Sequence, residues 1–158
     1  MLHDHESVRR LIARLLPAQS VVTTVTSDIA TFVLPFPPDA DYRFTVTVES
    51  GEATISARRM GSDENEYFWY HPFEDWQYRG GSAELENAVL SELTAIVSHP
   101  TRITQRRKRF SWSFICEYQE GEAWKPLYEH NLLRGNRSLP AIDGSERVYR
   151  SPPLTIPP

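Results

Sequence analysis

Hydrophobic positions in this chain switch between two spacings, and the switches mark its elements. Val8, Leu11, Ile12, Leu15 and Leu16 recur at helical intervals, with Arg9, Arg10 and Arg14 on the other side. Pro17 ends that pattern, because its ring cannot continue a helix, so an amphipathic helix is predicted within 1–17. Val21 to Thr26 and Ile29 to Leu34 are rich in β-branched residues around a Ser27-Asp28 turn, which predicts a first hairpin. Tyr42, Phe44, Val46 and Val48 then alternate with Arg43, Thr45, Thr47 and Glu49. After the turn at Ser50-Gly51-Glu52, Ala53, Ile55 and Ala57 alternate with Thr54, Ser56 and Arg58. A period of two on both sides of a glycine turn predicts a second hairpin with one face buried.

The helical period returns between residues 83 and 98, where Leu85, Ala88, Val89, Leu93, Ile96 and Val97 form one stripe. Ser82 suits the cap, Glu84 and Glu86 suit the positive N-terminal end, and His99-Pro100 stops the helix. Beyond Pro100, Phe110, Trp112, Phe114, Cys116 and Tyr118 share one face of a strand. A turn at Gln119 to Glu122 leads into Ala123 to His130, so a long hairpin is predicted over 101–134. Pro140, Gly144, Pro152, Pro153, Pro157 and Pro158 predict an irregular tail over 135–158. These elements compose one α+β domain spanning 1–158. Its mainly antiparallel sheet has about six strands built from hairpins, with two helices packed on one face.

Composition agrees with a folded chain. Leu, Ile, Val and Phe number 38 of 158 residues, above the roughly one-fifth below which charged chains stay unfolded. One cysteine, Cys116, permits no intrachain disulfide, and no long apolar run suggests a leader or a membrane span, so a cytoplasmic protein is expected. The formal net charge of −4 argues against binding nucleic acid or a membrane through the overall field.

The least ordinary stretch lies in the 20–79 region of strands. Seven of the eighteen aromatic residues fall between positions 67 and 78: Tyr67, Phe68, Trp69, Tyr70, Phe73, Trp76 and Tyr78. An interior of this size is expected to leave some of them near solvent, as part of a contact surface or as the roof of a pocket. His71, Glu74, Asp75 and Arg79 stand among them, so an acid, a base, a cation and apolar walls meet in sequence there. If a ring desolvates one of those carboxyls, its pKa rises toward the range useful for acid–base work, which makes His71, Glu74 and Asp75 the catalytic candidates.

Arg102, Arg106, Arg107, Lys108 and Arg109 form the densest basic cluster, directly before Phe110, whereas Asp63 to Glu92 carries eight acids and one arginine. Basic residues beside rings can track a single-stranded nucleic acid; the acidic segment can instead neutralise them within the fold or across a homodimer. The histidines show no metal-ligand spacing beyond His3 and His5, and there is no phosphate-binding glycine loop, so neither a metal nor another cofactor is implied.

Three functions remain. The first is a non-enzymatic module binding a protein, such as a stoichiometric inhibitor of the immunity-protein kind, through Trp69, Tyr70, Trp76, Tyr78, Arg79, Arg106, Arg107 and Arg109. The second is a small enzyme or ligand-binding protein with a pocket under the aromatic segment. The third is single-stranded nucleic-acid binding through the basic strand.

Overall fold

The computed structural model describes residues 5–15, 22–26, 29–35, 37–49, 52–60, 67–74, 82–108, 111–133 and 146–154. Helix α1 runs His5–Leu15, burying Ile12 while Arg9, Arg10 and Arg14 face solvent, as its stripe requires. Strands β1 (Val22–Thr26) and β2 (Ile29–Val33) form the first hairpin, and β3 (Tyr42–Glu49) and β4 (Glu52–Arg59) form the second. Helix α2, Ser82–Ser98, buries Leu85, Val89, Leu93, Ile96 and Val97. None of the described helices is long and apolar enough to cross a membrane.

Two departures from the expected single sheet define the architecture. The aromatic segment forms strand β5, Tyr67–Glu74, which extends the first sheet to five strands in the order β1-β2-β3-β4-β5. A second, separate sheet has four strands in the order β8-β7-β6-β9. Its members are β6 (Thr101–Arg107), β7 (Ser111–Glu120), β8 (Ala123–Leu133) and β9 (Glu146–Ser151). The stretch expected as one long hairpin over 101–134 is therefore three strands. Lys108 N–H donates to the Ser111 carbonyl at 2.8 Å, next to the antiparallel pairing of β6 with β7. Likewise the proline-containing tail is not irregular throughout. Residues 146–151 pair with β6, and Leu154, buried, donates its N–H to the Val97 carbonyl of α2 at 3.0 Å.

One buried cluster joins both helices and both sheets. α1 packs on α2, and α2 on β5, so the helices share a core that each sheet lines instead of covering one face of a single sheet. From the first sheet come Phe32, Phe44, Val46, Ile55, Trp69 and Phe73; from the second come Ile103, Phe114, Cys116 and Tyr149. Phe68 sits at a β-bulge, an extra residue between the pairs Ala57↔Trp69 and Arg58↔Tyr67. The bulge turns its ring into the junction of the sheets. There Phe68 lies edge-on to Tyr149 at 4.9 Å, Tyr42 at 6.0 Å and Phe114 at 6.1 Å.

Polar groups fasten the same junction. Tyr42 Oη and Thr101 Oγ1 lie 2.6 Å apart, and Trp69 Nε1–H donates to the Tyr128 carbonyl at 3.0 Å. Burial pushes the Tyr42 phenol well above its ordinary pKa, so it stays a neutral hydrogen-bonding group. Asp41 is a further fastening point: its N–H donates to the Arg150 carbonyl at 2.9 Å and its Oδ2 accepts from the Arg150 N–H at 2.8 Å.

Candidate functional site

Strand alternation decides what the aromatic segment can do. Residues 69, 71 and 73 pair with Ala57, Ile55 and Ala53, so they share the inward face of the first sheet. Trp69 and Phe73 are sealed in the core together with Phe68. Trp69, expected as a contact residue, is fully buried and hydrogen-bonded across the junction, leaving no ring face for a partner. Tyr70 is half-buried, and its ring lies 4.2 Å from that of His130. Trp76, Tyr78, Arg79, Asp75 and Arg109 lie outside the described residues.

His71 follows the inward row but does not end in an apolar setting. Its Nδ1 lies 2.7 Å and 2.9 Å from the two carboxylate oxygens of Glu92 on α2. The Tyr128 ring of β8 stacks on the imidazole, with centroids 3.9 Å apart and planes 2° apart, and Phe73 lies at 4.0 Å on β5. Three elements thus hold one imidazole: β5 carries it, α2 supplies its acid and β8 supplies its stacking partner. Side-chain exposure is 17% for His71 and 6% for Glu92. Burial holds the Glu92 pKa above its ordinary value, and the His71 hydrogen bond and charge offset only part of that rise. With Glu92 ionised, Nδ1–H donates to the carboxylate and the lone pair is on Nε2, which has no hydrogen-bond partner among the described residues. Such an imidazole can accept a proton at Nε2.

The expected companions of His71 do not join it. Glu74 faces the opposite side of β5 by alternation, half-buried and in register with Glu52. Glu92 was the acid to look for, and a signal for it exists. It stands seven residues after Leu85, three after Val89 and four before Ile96, an inward position of the helix where an ionisable group needs a partner. Cys116 lies fully buried, and burial together with the Glu92 and Glu117 carboxylates raises its pKa well above the ordinary value, so the thiol is neither ionised nor reachable.

The basic cluster is largely neutralised by its own sheet. Arg102 pairs with Glu117 at 2.9 Å and lies 4.2 Å over the Trp124 ring; Arg106 pairs with Glu146 at 2.9 Å, and Lys108 with Glu129 at 3.7 Å. Arg107 lies 5.1 Å over the Trp112 ring. Among the described residues the neutralising acids come from β7, β8 and β9, and the pairing lowers the local field a nucleic acid would meet. No group of three or more His, Cys, Asp or Glu side chains among the described residues could hold a metal ion.

A polar groove of about 440 Å³ opens elsewhere, lined by Ala40, Asp41, Arg59, Met60, Arg147, Val148 and Tyr149. It lies where the two sheets meet. Asp41 bridges to Arg150 on one side and its carbonyl accepts the Met60 N–H at 2.9 Å on the other, so the start of β3, the end of β4 and β9 come together at this residue. Met60 is 38% exposed there, one of two large apolar residues so exposed among those described, and Arg147 reaches over the Tyr149 ring at 5.0 Å. No sequence spacing announces this groove, because its walls come from residues about ninety to a hundred and ten positions apart.

No protein-family model, curated protein or solved structure matches the chain.

Proposed function

We propose that this chain is a non-enzymatic protein-binding module whose contact surface is the groove between the sheets, not the aromatic strand. The observation that carries the reading is the groove's composition: an exposed methionine between arginines contributed by two different sheets. Apolar anchors flanked by arginine are what interface energetics favour, and a concave site gives them a desolvated setting. The aromatic strand supplies scaffold, since Phe68 packs edge-on against Tyr149, which lines the groove.

Comparative copurification from native lysate tests this. Wild-type protein is expected to retain a stoichiometric partner that the Met60→Asp, Arg147→Glu double variant loses; both positions are exposed, so the fold is preserved. Absence of any partner, or its retention by the variant, overturns the proposal.

A second reading follows from the His71–Glu92 pair. A buried carboxylate that fixes an imidazole tautomer is the arrangement a general base uses, so a small enzyme or ligand-binding protein centred on His71 is the alternative. In that case a substrate is expected to be turned over by wild type and not by His71→Gln, while the groove variant retains full turnover.

A further inference from the structure

The edge of β9 beside the groove carries backbone groups with a predictable orientation. In an antiparallel strand the N–H and C=O of one residue point to the same side, and the side alternates along the chain. Arg150 turns both groups away from β6, because its N–H and C=O are bonded to Asp41. Val148 and Glu146, two and four residues earlier, must turn theirs away from β6 as well. The register agrees, with Arg150, Val148 and Glu146 opposite Arg102, Thr104 and Arg106. Among the described residues β9 is the outer strand of its sheet, and Val148 lines the groove. Neither backbone group of Val148 has a hydrogen-bond partner among the described residues.

We propose that this edge binds an extended acidic peptide segment of a partner protein by strand addition, continuing from Val148 the pairing that Asp41 begins at Arg150. This rests on the reading of the chain as a binding module. Main-chain bonds to Val148 and Glu146 supply register, and the side chains of the incoming strand meet the groove. Charge selects an acidic segment. Arg147 and Arg150 are exposed along β9 and Arg147 lines the groove, whereas Glu146 is paired with Arg106 and Asp41, the one carboxylate lining the groove among the described residues, is engaged by the Arg150 N–H. A second copy of this chain fits less well. Because Asp41 occupies Arg150, two β9 strands could pair only about Arg147, placing that arginine opposite its own counterpart, and like charges directly opposite destabilise a ladder.

Two measurements test the proposal, with a fluorescent peptide of alternating glutamate and valine as probe and its lysine–valine counterpart as control. Fluorescence anisotropy is expected to show binding of the acidic peptide at low salt, weakening at high salt, and none of the control. Val148→Pro removes the outward N–H without touching a bond to β6, a change edge strands tolerate, and is expected to weaken binding by about tenfold or more. If that variant fails to fold, wild-type amide exchange decides alone: the Val148 N–H is expected to exchange quickly in the free protein and slowly with the acidic peptide. Equal binding by folded Val148→Pro, no binding of the acidic peptide at low salt, or a Val148 amide already protected without peptide overturns the proposal. If strand addition fails in these ways while a native partner is still lost by the Met60→Asp, Arg147→Glu variant, the binding-module reading stands without it. If that partner is absent too, both fall.

Discussion

Replacing His130 with phenylalanine is expected to remove most of the acid sensitivity of this fold between about pH 6.5 and 4. His130 is 7% exposed, and both ring nitrogens are buried without a hydrogen-bond partner among the described residues. Phe114 stacks on it at 5.3 Å with planes 13° apart, and Tyr70 lies at 4.2 Å. Burial lowers its pKa from 6.5 to about 4. The unfolded chain therefore holds the proton more tightly than the folded one, so stability is full above the unfolded value and falls as pH drops toward 4. A displacement of that size corresponds to about 2.5 kcal/mol lost between pH 7 and 4.5. Phenylalanine keeps the stacking, needs no hydrogen bond and cannot be protonated. Urea unfolding of both proteins at the two pH values measures the effect. Wild type is expected to lose about 2.5 kcal/mol more than His130→Phe on acidification, and at pH 7 the variant is at least as stable as wild type. Parallel losses in both proteins, or a variant more than about 1 kcal/mol weaker at pH 7, would refute the account of His130 as a neutral, unpartnered group.

Three further outcomes follow from the core and the dyad. Trp69→Ala empties a fully buried site and deletes the bond to the Tyr128 carbonyl, so a loss of about 3–5 kcal/mol is expected in denaturant unfolding; a loss under 1 kcal/mol would mean the ring is not sealed in. His71→Ala leaves a buried Glu92 carboxylate unpaired and is expected to cost about 3 kcal/mol at pH 7. Without the His71 contacts that lower it, the Glu92 pKa rises further, the folded state then gains from protonation, and the deficit is expected to shrink as pH falls; a pH-independent deficit would contradict this. Cys116 is expected to resist an aromatic disulfide reagent at mildly alkaline pH until denaturant is added, and fast labelling of the native protein would show the thiol to be reachable.

Local patterns in the chain identify most of the elements and few of the contacts between them. The alternation of Tyr42 to Val48 and of Ala53 to Ala57 located β3 and β4 because a single sheet face determines each residue there. The stripe from Leu85 to Val97 located α2 for the corresponding reason. The aromatic segment escaped because Pro72 and its mixture of rings and charges obscure a period of two, and only pairing with β4 reveals that Trp69, His71 and Phe73 share a face. β9 escaped because nothing local distinguishes residues 146–151; its partner β6 lies about forty-five positions away. His71 stood out for its neighbours, yet the acid it uses is twenty-one residues distant on a helix. Side-chain pairs brought together by tertiary packing leave no fixed spacing to read.

The groove between the sheets, and not the aromatic strand, is where we propose that the partner binds. Backbone amide shift mapping with the acidic peptide tests it most directly. The signals of Asp41, Met60, Arg147, Val148 and Tyr149 are expected to move while those of His71, Phe73 and Tyr128 stay in place. Movement confined to the His71 cluster, with the groove unaffected, would contradict it.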